Sequence, residues 1–185
     1  MPLSPLRRRG MNEVGLDMYL RRHTSVQHYW LAMMGDGVKP KVELTDIPFV
    51  DVEKIVAIVE EVCYWRKVNC VHQWFVDNVQ DGEDDCGSYN VNVEELMQLA
   101  KVCMSVHGYY LQNKDNHSGA PNKKAKEFAA AQLPVQQGFF FGSSEYDKYY
   151  FKDLKETIEM LRPLIEDTLD ENNKMHQWFK YNSSW

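Results

Sequence analysis

Leu16, Met18 and Leu20 alternate with Asp17 and Tyr19, a period of two that predicts a half-buried strand over residues 14–20. Lys41–Leu44 reads as a second short strand closed by Pro48, after a turn marked by Gly35 and Gly37. From Asp51 to about Val79 the apolar residues recur at helical spacing. One row runs Ile58, Val62, Trp65, then Asn69 and His72, then Val76. Its neighbour runs Val52, Val56, Val59, Cys63 and Cys70. Rows this wide predict a long, largely buried helix with Asp51 as its N-cap.

An acidic turn, QDGEDDCG at 80–87, precedes a short strand at Ser88–Val91. Asn92 with Glu95 three residues on predicts a capping box, and a helix follows to about Leu111. It carries Leu96, Leu99, Ala100, Cys103, Val106 and Tyr110 on one side. Residues 112–126 are polar, with Gly and Pro, and read as an exposed loop; Glu127–Gln132 adds a helical turn before Pro134. Gly138–Gly142 reads as a short buried strand, after which Ser144 caps a helix with Asp147 at its third position. That helix shows Tyr146, Tyr150, Leu154, Ile158, Leu161 and Ile165 on one face. Pro163 should kink or restart it, and residues 171–173 end it. The tail MHQWFKYNSSW alternates weakly and is expected to return as an edge strand. The sum is an α+β fold, with three principal helices packed on a small, mostly antiparallel sheet.

A chain of 185 residues suits one buried core, so residues 13–185 are taken as a single domain and 1–12 as a loose leader, with Met11 a second candidate start. A formal charge of −6 argues against non-specific nucleic-acid binding, which depends on Lys and Arg. No apolar run reaches the roughly 18 residues of a membrane helix, so no membrane partner is expected. Cys63, Cys70, Cys86 and Cys103 read as reduced thiols in a cytosol.

Two constellations carry candidate chemistry. Trp65, Arg66, Asn69, His72 and Gln73 share one side of the expected central helix. Asn69 and His72 continue an otherwise apolar row. Burying them without partners costs about 1–3 kcal/mol each, so they either meet a ligand or close an internal network. Gly142 and Ser143 precede a helix start that favours anions, and Phe140 offers a ring for stacking. With Tyr146 they suit a nucleotide-like ligand, although the segment is explained as well by a core strand and a capped helix. No GxxxxGK[ST], GxSxG, HExxH or CxxC occurs. No catalytic residue, metal ligand or cofactor is therefore assigned. His72, Cys86 and Asp85 are too scattered for their spacing to argue a Cys–His enzyme.

VGLDMYL, YWRKVNCVHQWF, DDCGSYNV, LPVQQGFFFGSSEYD and the closing SSW, in this order, resemble a family of uncharacterised tailed-phage and prophage proteins. The resemblance covers about residues 13–185 and implies a phage accessory protein in the cytoplasm of a bacterial host; it implies no reaction. The leading expectation is a binding protein that sequesters a small nucleotide-like molecule, such as a host immune signal, to counter host defence. A module that inhibits a host protein is the second expectation, and a nucleotide hydrolase the third. A homo-oligomer is compatible with each.

Overall fold

The chain as described by a computed structural model comprises residues 15–25, 49–51, 54–169 and 177–185. The expected strand at 41–44, the turn at 35–37, the leader and the helix end at 171–173 lie outside these residues. β1 (Asp17–Ser25) starts three residues later than expected and runs further. The alternation holds: Met18 and Leu20, with Leu16 just before the strand, have no solvent exposure. Burial of each such side chain is worth about 1.5–3 kcal/mol.

The largest correction falls between 51 and 79. No single helix runs there. Ala57–Arg66 forms β2, antiparallel to β1, and only Asn69–Asn78 is helical, as α1. The segment is rich in β-branched and aromatic residues, which fit a pleated edge strand. Val56, Ile58 and Val59 are exposed, so the apolar arc that suggested a buried helix does not exist. Lys67 ends the strand in the left-handed region at φ 58 and donates its backbone N–H to Leu16 O at 2.8 Å. That tie turns the chain out of the sheet and into α1.

β3 (Ser88–Val91) and α2 (Val93–Gln112) follow as expected. Both halves of the Asn92–Glu95 capping box form, each at 2.8 Å. The polar stretch at 112–126 is more ordered than its composition suggests. Asp115 gathers the N–H groups of His117 and Ser118, Lys114 bridges to Pro121, and Asn122 caps α3 (Lys123–Gln132). α4 (Lys148–Leu169) runs continuously through Pro163. Its cap is Asp147, which accepts from the N–H groups of Tyr149 and Tyr150; Ser144 does not take that part. The closing strand β4 (Gln177–Ser184) is interior rather than an edge, in the order β2-β1-β4-β3, with every pairing antiparallel.

The architecture is α+β with four helices among the described residues, one more than the three principal helices expected. One face of the sheet presents Met18, Leu20, Trp65, Phe179 and Tyr181 to a cluster shared with all four helices. Tyr110 of α2 stacks on Phe151 of α4 at 4.1 Å, while Glu94 and Glu166 line one groove at the opposite ends, so α2 and α4 run antiparallel. Replacing Asn92 by Ala removes the acceptor for Glu95 N and should cost about 1 kcal/mol, read as a lower urea midpoint with unchanged m-value.

Candidate functional site

The predicted residues separate into a buried group and a surface group. Trp65 is buried and donates its indole N–H to Thr157 Oγ1 at 3.0 Å. Arg66 lies next to it on β2 and so faces the other side of the sheet. There it meets both carboxylate oxygens of Asp17, at 2.9 and 3.0 Å. Tyr64 also donates to Asp17. Gln73 reaches along the helix to Asp77 at 2.7 Å. Trp65, Arg66 and Gln73 therefore do not share one helix side with Asn69 and His72, because two of them stand on a strand.

Asn69 and His72 do come together with the Gly138–Ser143 segment, although that segment is not a strand. It is a turn, closed by Phe141 N–H to Gly138 O at 3.2 Å, and its three phenylalanines diverge. Phe139 is 95% exposed, Phe140 half-buried and Phe141 buried. Phe140 O accepts from Leu16 N at 2.9 Å. The Asn69 amide donates to Phe141 O at 3.0 Å and to Ser143 O at 2.9 Å. Both of its N–H groups are thus spent on the turn. Gly142 sits at φ 89, and a Cβ there would lie 2.9 Å from Lys67 Cβ. The glycine serves close backbone packing against the β2–α1 junction. Ser143 Oγ accepts from Glu145 N at 3.1 Å. Tyr146 packs on Tyr150, and its hydroxyl accepts from Val135 N at 3.1 Å.

His72 is wholly buried. Its Nδ1 lies 2.7 Å from Tyr181 Oη and its Nε2 3.1 Å from Asp84 Oδ1. An ionised Asp84 can only accept, so Nε2 carries the proton and Nδ1 accepts from the Tyr181 hydroxyl. Gln136 donates to the other Asp84 oxygen at 3.2 Å. Phe141 and Trp185 pack against the imidazole with ring centroids 5.4 and 5.8 Å away. Burial pushes the His72 pKa below its ordinary value, and Asp84 opposes that shift without reversing it. Burial also pushes Tyr181 well above its ordinary value, which keeps it a donor. Asp84, Gln136, Tyr181 and Trp185 were not foreseen, since they come from three separate segments of the chain. Asp85 instead accepts from Gly87 N and from the Tyr89 hydroxyl. Burial raises Cys63 and Cys103 to about 12, so both stay thiols.

A separate concavity of about 520 Å³ opens between α2 and α4. Met97, Met104, Ile158 and Ile165 supply its apolar wall, and none of its lining residues belongs to the predicted set. No helix among the described residues is long and apolar enough to cross a membrane. No family model, curated protein or solved structure matches the chain.

Asn69→Ala should destabilise by about 1–3 kcal/mol, because two turn carbonyls lose their donor. Asn69→Asp should cost more, since a carboxylate would face those carbonyls; equal urea midpoints for the two variants would refute the contact. Gly142→Ala should cost about 1 kcal/mol or more, from its positive φ and the Lys67 contact. For His72 the folded pKa lies below the unfolded one, so the unfolded chain takes up the proton first and stability falls with pH. The contribution is present above the ordinary value of 6.5 and is lost as pH falls from there through the lower folded value. His23 and His107, also lowered by burial, add loss of the same sign. Thermal unfolding from pH 7.5 to 6 should show a falling midpoint, with a shallower slope in His72→Gln.

Proposed function

We propose that the protein is a protein-binding module whose working surface is the α2–α4 groove. One observation carries this reading. Met97, Met104 and Leu111 are 43, 47 and 49% exposed and follow one another at intervals of seven along α2. Seven residues is the repeat with which one helix presents a continuous seam to another. The exposed row is about 21 Å long at 1.5 Å per residue, and its Met97–Met104 part lines the groove. Ile158 and Ile165 of α4 form the second wall. Methionine is unbranched and polarizable, so such a wall adapts to the side chains it receives.

The charged rim specifies the occupant further. Glu94 and Glu166 mark one end of the groove, with Lys101 and Arg162 further along it. An amphipathic helix with an apolar i, i+3/i+4, i+7 row, a basic residue at one end and an acidic one near its middle complements this arrangement. The phage resemblance would make that helix part of a bacterial host protein, met in the host cytoplasm. A nucleotide-like ligand held by Asn69, His72 and the Gly138–Ser143 turn would first have to break both Asn69 hydrogen bonds, which makes that use of those residues the weaker reading.

A photo-crosslinking residue at position 104, introduced in cells, should capture one protein. That protein, once purified, should bind the wild type at 1:1. Met97→Asp with Met104→Asp should weaken it more than tenfold, about 1.4 kcal/mol or greater. Both side chains are exposed, so the variant should keep the wild-type thermal midpoint within a few degrees. Absence of a crosslinked partner, or unaltered affinity in the double variant, would overturn the reading.

A further inference from the structure

The face of the sheet opposite the core carries a second arrangement, independent of the helix groove. β1 and β4 pair there with His23 opposite Trp178 and Arg21 opposite Lys180. The His23 and Trp178 rings stack at 5.1 Å with planes 22° apart, and Trp178 remains 39% exposed. Arg21 spreads over the Tyr19 ring at 4.9 Å and donates to Asn182. Among the described residues Glu61 pairs with it, 3.9 Å away. Lys180 adds a second cation directly across the pairing.

Like charges opposed across a strand pair are destabilising. Here they stand in a chain whose formal charge is −6. The crowding reaches His23 as well. Its pKa is lowered first by burial, then by repulsion from Lys180 and from Arg21. A stacked, partly open indole next to two cations opposed across a strand pair is the combination that receives a base and its phosphate.

We propose that the outer face of the sheet binds a nucleotide, with the base on the open face of Trp178 and the phosphate between Arg21 and Lys180. His23 braces the indole from behind. Two cations and one stacking ring match a single nucleotide unit, and the acidic remainder of the chain repels a long polyanion. The site uses none of the Asn69–Gly142 residues and does not overlap the α2–α4 groove.

Isothermal titration of the full chain at low salt tests this with nucleoside 5′-monophosphates, unphosphorylated nucleosides, inorganic phosphate and a short single-stranded oligonucleotide. The nucleotides should bind at least tenfold tighter than the nucleosides or phosphate alone. An oligonucleotide binding more than a hundredfold tighter than the monomers would place the unit within a strand; equal affinity would make it a free nucleotide. Trp178→Ala should weaken binding about tenfold, the effect of losing one base–aromatic stack. Lys180→Glu should abolish binding and yet raise the thermal midpoint, because it converts a like-charge pair into an opposite one. The proposal is overturned if no probe binds, if phosphate alone binds as tightly as a nucleotide, or if Lys180→Glu binds like the wild type.

Discussion

The side-chain amide of Asn69 is the contact on which the layout turns. It spends both of its N–H groups on the carbonyls of Phe141 and Ser143, two backbone acceptors that lie 72 and 74 residues away. The same junction is tied twice more, by Lys67 N to Leu16 O and by Leu16 N to Phe140 O. Three chain segments, the approach to β1, the β2–α1 turn and the aromatic turn, are thereby held in one place. Gly142 is required because this closeness leaves no room for a Cβ. The buried His72 network extends the clamp to β4 and to the acidic turn through Tyr181 and Asp84.

A clamp of this kind has a consequence for recognition. Polar groups that are buried and satisfied by each other have no hydrogen bonds left to offer without a cost of several kcal/mol. The recognition surfaces proposed above are ones the clamp leaves open. The helix layer offers an apolar seam, and the outer sheet face offers cations beside an indole. The two differ in chemistry and share no lining residue.

Elements set by local chemistry were legible in the sequence. The Asn92–Glu95 capping box marked the start of α2, and strict alternation marked the buried side of β1. β2 was not legible, for a definite reason. Its register slips opposite Leu20 and Arg21, with Cys63 facing Leu20 and Glu61 facing Arg21. That bulge breaks the period of two, and the remaining Val52, Val56, Val59, Cys63 spacing imitates a helix. The turn at Gly138–Gly142 was missed because three phenylalanines look like a buried strand, whereas one of them points into solvent. For the site, the oddity of Asn69 and His72 on an apolar row was visible, and both are indeed buried. Their partners were not, since Tyr181 lies 109 residues from His72 and no local pattern connects them. The outer face of the sheet became visible only when the β1–β4 pairing set Arg21 against Lys180.

The clamp is tested most directly by hydrogen exchange at the Asn69 side-chain amide, followed by NMR. Both protons donate to buried carbonyls, so they should exchange slowly, in step with the backbone amides of α1. Exchange as fast as that of an exposed glutamine side chain would show that the turn stands open, and would contradict the account.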